Sequence, residues 1–276
     1  MKILKGKEFL DNIKKDIHSK LLNIAPINRP SIAILINEDD YGSLQYARQL
    51  TKDCNEVGIG VISVKINSNT NIDFIYRTIT DFNYMEDVAA IMIQHPLPKT
   101  LSKCENEIID SVDSNKLIDA PFWKMKLDSR KTWPGTPHGV YLMLTDYYKS
   151  DLTGKKVVVI GRSKTVGMPL SMILTYNGAT VTNCHSKTGM NNIREYCKSA
   201  DIIISAAGSP GLIDNTFTLN ENQVIIDVGC NQVDGKLCGD VKFDDIAHIV
   251  EAITPVPGGV GPMTRAAILS SIIMNS

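Results

Sequence analysis

Apolar runs and amphipathic stretches alternate along almost the whole chain. Lys7 to Leu22 places Phe9, Leu10, Ile13, Ile17, Leu21 and Leu22 at helical spacing among charged residues, and Pro26 to Pro30 stops the helix. Ser31 to Ile36 (SIAILI) is short, branched and uncharged, the pattern of a strand buried on both faces. An amphipathic helix is expected over Ser43 to Val57, capped by Gly58, followed by a strand over Val61 to Ile66, a helix over Ile72 to Phe82 and a strand over Val88 to Ile93. Strands alternating with helices predict a parallel sheet with right-handed crossovers.

From Gln94 to Thr136 the pattern loosens. QHPLPKT is followed by a helix over Glu105 to Ser111 and an irregular stretch containing Pro121, Pro134 and Pro137. Such segments line a site or join domains, which puts a domain boundary near residue 135. His138 to Tyr148 is the next helix. A second series follows, with strands at 156–160, 179–183, 201–205 and 223–227 and helices at 168–177 and near 190–198. This spacing predicts a doubly wound sheet with ligands at the carboxyl ends of its strands. In the closing TPVPGGVGPMTRAAILSSIIM, Gly258, Gly259 and Gly261 allow backbone to approach a ligand closely, and Pro262 suits the first turn of a last helix.

Composition narrows the ligand. The 276 residues suffice for two domains, and 43% hydrophobic with 21% charged residues is a globular profile. A net charge of -1 and a pI near 6.5 leave no electrostatic footprint for nucleic acid, so a small molecule is expected. The six cysteines form no CxxC and no metal-like pairing with histidine, which reads as reduced thiols and no metal site. The charged N-terminus is no signal peptide and no run reaches the ~18 apolar residues of a membrane span, so a cytoplasmic protein is expected.

The candidate chemistry centres on Lys155 to Pro169 (KKVVVIGRSKTVGMP), a strand, a tight turn and a helix N-terminus. Unpaired amides and the positive end of the helix dipole make such a turn a seat for phosphate. A GxGxxG fingerprint would put glycines at 161, 163 and 166, whereas the chain has Gly161, Ser163 and Val166, with Gly167 one place late. A turn that binds nothing is the competing reading. The next strand, Ala179 to Thr182, is followed by Asn183, Cys184, His185, Ser186 and Lys187 without the acid that would accept from an NAD ribose. Arg162 offers a guanidinium for a 2′-phosphate, which favours NADP over NAD. Ser205 to Gly208 (SAAG) and Asp227 to Asn231 (DVGCN) end later strands in small residues, fitting either a flat ring or a tight turn.

VVVIGRSKTVGMP, TNCHSKT, DVGCN, GDV at Gly239 to Val241 and above all TPVPGGVGPMT at Thr254 to Thr264 resemble the methylenetetrahydrofolate dehydrogenase/cyclohydrolase family, the bacterial and archaeal FolD proteins. The resemblance covers most of the chain. It implies NADP-dependent oxidation of 5,10-methylenetetrahydrofolate to the methenyl form and hydrolysis of that product to 10-formyltetrahydrofolate. It also implies a homodimer of chains with two α/β domains flanking a cleft. Residues 1–135, completed by a helix at 262–276, would bind the tetrahydrofolate derivative, and 136–261 would form a Rossmann-type NADP domain. Carried over by position, Gly161, Arg162 and Ser163 form the NADP-binding turn, Ser186 lies near the 2′-phosphate and Cys230 contacts the nicotinamide half through its backbone. Ser43, Tyr46, Gln94 and Asp119 would surround the folate, Tyr46 stacking on it or hydrogen-bonding it and Asp119 holding the pterin amino edge, while Gly259 and Pro262 would close over it.

The sequence departs from the family at one chemically telling place. The pattern S-x-x-Y-x-x-x-K-x-K appears as SLQYARQLTK, with Leu50 where the family carries the lysine credited with helping water attack the methenyl carbon. Lys52 lies roughly 200° round the helix from Leu50, a poor replacement. Hydride transfer is less exposed to this loss, because the cofactor accepts the hydride and the folate nitrogens carry the developing cation. A dehydrogenase with a weakened cyclohydrolase is therefore expected. Smaller departures are His95 in QHPLP, Leu117 and Ala120 in KLIDA, and Gly135 in PGTP. Leu117 and Ala120 put the loop before Pro121 in question, and His95 reads as a packed or solvated residue and not a stand-in base. The alternatives are another NADP-linked dehydrogenase, or a protein that binds folate or nucleotide without turnover.

Overall fold

The computed structural model describes residues 1–149 and 151–276, which gather into two compact units. One comprises Met1–Asp11, Pro121–Ser129 and Trp133–Ala267, and the other Asn12–Ala120, Arg130–Thr132 and Ile268–Ser276. The chain opens with β1 (Lys2–Ile3), α1 (Gly6–Leu21), β2 (Ser31–Asn37), α2 (Tyr41–Val57) and β3 (Gly60–Ile66). It continues through α3 (Ile72–Tyr84), β4 (Val88–Ile93), α4 (Glu105–Asp110) and α5 (Gly135–Tyr147). Next come β5 (Lys156–Ile160), α6 (Gly167–Tyr176), β6 (Thr180–Cys184), α7 (Met190–Lys198), β7 (Ile202–Ser205) and β8 (Val224–Asp227). The last elements are β9 (Asn231–Val233), β10 (Lys236–Cys238), α8 (Phe243–Ile246), β11 (Ala252–Ile253) and α9 (Val260–Asn275).

The unit built on Asn12–Ala120 carries a parallel sheet in the order β3-β2-β4. Its central strand is buried at all seven positions, as its unbroken apolar run requires. The Asp40 side chain caps α2 by accepting from the Ser43 amide at 2.7 Å, and Gly58 ends that helix in the left-handed region at φ 87°. Asn71 caps α3 in the same way, and the buried Ile75, Ile79 and Phe82 present that helix's i, i+4, i+7 face to the core. Beyond β4, Leu117 bridges Ile91 in parallel and the Ile91 amide donates to the Lys116 carbonyl at 2.7 Å. This pairing carries the chain along the sheet to Asp119. Leu117 and Ala120 join the apolar core of this unit, so both substitutions in KLIDA are absorbed by packing.

The other unit holds a six-stranded parallel sheet in the order β1-β11-β8-β7-β5-β6, the doubly wound architecture expected for the second series. β1 pairs with β11, and this brings the first residues of the chain into the Rossmann-type sheet. Neither two-residue strand is visible as a periodic pattern. A short antiparallel hairpin, β9-β10, also goes unpredicted. The expected start of α5 at His138 is corrected to Gly135, with Pro134 as N-cap and Pro137 inside the first turn. Proline is tolerated there because first-turn amides have no intrahelical acceptor to lose. Likewise α9 begins at Val260, two residues before Pro262.

Candidate functional site

In the Asn12–Ala120 unit two of the expected folate residues, Ser43 and Gln94, meet at the carboxyl end of the small sheet. Gln94, the residue after β4, donates from Nε2 to the Ser43 carbonyl at 2.9 Å, and so ties the strand end to the first turn of α2. Asn37, the last residue of β2, donates to the Pro96 carbonyl at 2.9 Å and holds the following loop to the same edge. Ser43 and Gln94 are buried, while Tyr46 and Asp119 are half-buried. Asp119 sits in the left-handed region at φ 50°, which an aspartate tolerates better than most side chains. Ser43 Oγ and Gln94 Oε1 are both buried without a hydrogen-bond partner. An unmade bond of this kind costs about 1–3 kcal/mol, which a bound donor or acceptor would recover.

Leu50 is fully buried, at 0% exposure, on the α2 face that also buries Ser43, Ala47, Asp53 and Cys54. Lys52 is 77% exposed and lies 3.9 Å from Glu56, on the outer face as its spacing implies. Lys14 of α1 donates to Asp53 at 2.9 Å and makes a closer contact with Glu56. Partial burial pulls its ammonium down, but the hydrogen bonds to Glu56 and Asp53 together hold it above its usual value, so it remains a cation and not a base. His95 is exposed, with Nδ1 3.8 Å from Glu105 Oε1.

In the Rossmann-type unit, Gly161, Arg162, Ser163 and Ser186 line one cavity of about 380 Å³, together with His185, Ala206, Ala207 and Ser209. Its lining carries no carboxylate. Gly161 has φ 133°, and a Cβ there would stand 2.2 Å from the Ala206 carbonyl oxygen. A Cβ on Gly167 would stand 2.2 Å from the Gly161 carbonyl oxygen. The glycine that arrives one place late thus does the work of close helix-to-strand packing, and the irregular fingerprint is structurally complete. Ser163 Oγ accepts from the amides of Val166 at 3.1 Å and Gly167 at 3.4 Å, holding the first turn of α6 open toward the cavity. Asn183, where the sequence lacks an acid, donates to the Gly161 carbonyl at 2.9 Å and fixes the turn from the neighbouring strand.

Cys230, Gly259 and Pro262 lie outside this cavity. Cys230 is exposed beyond the end of β8. Gly258 has φ 104°, and its carbonyl accepts from the Gly6 amide at 2.9 Å, pinning the glycine-rich loop to the start of α1. A Cβ on Gly6 would meet the Gly259 carbonyl oxygen at 1.9 Å, so the two segments are in backbone contact.

Sequence reasoning missed a pair of buried carboxylates. Asp227, at the end of β8, accepts from the amides of Gly229 at 2.9 Å, Asp240 at 3.0 Å and Val241 at 2.9 Å. A Cβ on Gly239 would lie 1.9 Å from Asp227 Oδ2, and one on Gly229 would lie 2.4 Å from Asp240 Oδ1. DVG and GDV therefore interlock, each glycine making room for the other segment's carboxylate. The recurrent Asp and Gly were legible, but not their partnership across the hairpin. Burial pushes the Asp227 carboxyl up to about 6, opposed by its three amide donors and reinforced by the charge of Asp240. The folded state thus holds a proton that the unfolded chain releases near 3.8, and stability falls as pH rises from there through about 6, then levels. Asp227→Asn has no such proton, so thermal melts should show wild type gaining relative to the variant as pH drops from about 7 to about 5. A difference that stays constant would contradict the assignment.

Comparison with known proteins gives a consistent picture. The family model described as tetrahydrofolate dehydrogenase/cyclohydrolase, catalytic domain, matches residues 4–119. The model described as tetrahydrofolate dehydrogenase/cyclohydrolase, NAD(P)-binding domain, matches residues 134–276. A bifunctional protein FolD of Methanospirillum hungatei is 37% identical over 278 residues, covering 98% of this chain and 95% of the relative. The crystal structure of the bifunctional enzyme FolD from Campylobacter jejuni aligns with TM-score 0.90 at 33% identity over 100% of this chain and 98% of that one. The Trypanosoma brucei methylenetetrahydrofolate dehydrogenase-cyclohydrolase, solved with NADP cofactor and an inhibitor, aligns with TM-score 0.85 at 29% identity over 98% and 95% of the two chains.

Proposed function

Because the chain belongs to the tetrahydrofolate dehydrogenase/cyclohydrolase family, we propose that it is an NADP-dependent 5,10-methylenetetrahydrofolate dehydrogenase whose cyclohydrolase step is crippled at Leu50. The observation that carries this reading is the contrast on one edge of the small sheet. Gln94 is tied to Ser43 in the first turn of α2, while Leu50, buried on the same face of that helix, stands at the position where the family carries its lysine.

The Rossmann-type cavity fits the cofactor on its own terms. Gly161 and Gly167 let the turn pack against the Ala206 and Gly161 carbonyls, Arg162 and Ser163 offer a cation and a hydroxyl to the cavity, and no carboxylate on the lining would repel a 2′-phosphate. Bound there, NADP supplies the acceptor for the hydride that leaves the folate's methylene carbon. The chain's residues bind and orient. Asp119 accepts from the pterin's amino edge, Tyr46 lies against the folate ring, and Gln94 and Ser43 offer their unpaired oxygens to the substrate. Ser186 is assigned to the 2′-phosphate, Cys230 to the nicotinamide half, and Gly259 and Pro262 to the loop that covers the folate. Residues 1–135 with the last helix are the folate-binding part, and 136–261 the NADP-binding part.

Hydrolysis asks for more. Water adding to the methenyl carbon must lose a proton before the bond from that carbon to one folate nitrogen breaks, and a positioned acid or base contributes typically ~10²- to 10⁴-fold to such a step. Leucine holds no proton and no lone pair. The first test is NADP reduction on adding 5,10-methylenetetrahydrofolate. A 2-hydroxy acid in its place should give none, and a chain that binds both ligands without forming NADPH would favour the non-catalytic alternative.

Two further assignments accompany this reading. No helix among the described residues is long and apolar enough to cross a membrane, and a cytoplasmic location is proposed. A homodimer is proposed because β6 is an edge strand and the adjacent α6 exposes Met168, Met172 and Tyr176 at i, i+4, i+8, an apolar stripe that a second copy would cover. Light scattering should then give twice the 30.4 kDa chain mass, and a monomer would remove the assignment.

A further inference from the structure

Asp240 is completely buried and yet collects five donors. The Ser205 hydroxyl reaches its Oδ2 at 3.0 Å, and the amides of Ala207 and Gly208 reach the same oxygen at 2.8 and 3.2 Å. The Ser209 amide and the Asn231 side-chain amide reach Oδ1 at 2.8 and 2.9 Å. One carboxylate therefore gathers the whole turn that leaves β7, the turn whose Ala206, Ala207 and Ser209 form a wall of the cavity and whose Ala206 carbonyl abuts Gly161. Asp240 is itself held from behind, because its own amide and that of Val241 donate to Asp227. A carboxylate with five donors has no acceptor capacity to spare for a ligand, so its role is to hold the turn and not to touch the nucleotide.

We infer that Asp240 is a positioning residue for NADP, with Asp227 as its buttress: it pre-forms the Ser205–Ser209 turn so that the nucleotide meets a finished wall. The inference rests on the NADP reading of this cavity. A turn ordered before binding spares the ligand the cost of ordering it, and a binding-competent state populated only fractionally weakens apparent affinity by that fraction. Asparagine at 240 keeps the volume but turns one acceptor oxygen into a donor facing amides, leaving at least one of the present donors unmet.

Two measurements on the full chain decide the matter. Direct titration of Asp240→Asn with NADP should show affinity lower by about 10- to 100-fold. In steady state the KM for NADP should rise in proportion, while the KM for 5,10-methylenetetrahydrofolate and kcat at saturating NADP stay within about threefold. A general loss of structure would lower kcat and raise both KM values together. Hydrogen exchange on the wild type needs no variant and stands even if Asp240→Asn fails to fold. Without NADP, the amides of Ala207, Gly208 and Ser209 should already be protected, at a level approaching the ladder amides of β7. Free exchange of these three until NADP is added, or unchanged NADP affinity in Asp240→Asn, overturns the inference. Failure of the wild type to bind NADP at all would instead remove the cofactor reading on which it rests.

Discussion

The chain should oxidise 5,10-methylenetetrahydrofolate at a rate ordinary for a dehydrogenase while hydrolysing the methenyl product about 10²- to 10⁴-fold more slowly than a protein with the lysine in place. The cause is local. Leu50 is fully buried one turn beyond Tyr46, and in a helix each Cα–Cβ bond tilts toward the N-terminus. A longer side chain at 50 would grow toward the turn that carries Ser43 and Tyr46. Burial there would also lower a lysine's pKa, the direction a base requires. Leu50→Lys should thus raise cyclohydrolase turnover at least about tenfold at some loss of stability, and leave the dehydrogenase within a small factor. Leu50→Met, which keeps volume without a titratable group, should gain nothing. Equal gains in both variants, or none from lysine in a folded protein, would show that the missing base is not the limit.

The second large effect is expected at Gly161. Alanine there must adopt φ near 133° and place its Cβ 2.2 Å from the Ala206 carbonyl oxygen. Backbone strain alone amounts to about 1–3 kcal/mol. Relief of the overlap requires β5 and the turn after β7 to separate, which opens the wall that Asp240 holds. NADP affinity should fall about 100-fold or more, as about 2.7 kcal/mol or more of binding free energy is lost. Gly154→Ala is the control, since Gly154 has φ 73° but nothing within 4 Å of a Cβ. It should lower the melting temperature modestly and leave NADP affinity unchanged. Comparable losses of affinity in both variants would mean that generic strain, and not the crossing at Gly161, governs the site.

Much of this was legible in the residues. SIAILI reads as a buried strand, and the apolar spacing from Ser43 to Val57 with the Gly58 cap is enough to fix which face of α2 carries Ser43 and Leu50, while the start at Tyr41 behind the Asp40 cap is seen only in the structure. What escaped sequence reasoning did so for physical reasons. β1 and β11 are two residues long, too short to carry a period, and their pairing joins the two ends of the chain. Pro137 falls in the irregular stretch before the expected helix at His138 because proline is ambiguous between loop and first turn until the helix is seen. Gly167 looked misplaced because a fingerprint counts positions, whereas the fold needs a glycine wherever the helix crosses the Gly161 carbonyl. The carboxylate pair Asp227 and Asp240 is hidden because its donors come from three separate stretches of chain, 205–209, 229–231 and 240–241.

The most direct measurement follows NADPH and the methenyl product together in one reaction started with 5,10-methylenetetrahydrofolate. The two species should at first rise one for one, and the methenyl product should then decay about 10²- to 10⁴-fold more slowly than with a protein that carries the lysine. NADPH appearing while the methenyl form never accumulates, with 10-formyltetrahydrofolate formed at the same rate, would contradict the assignment of Leu50 as the lesion.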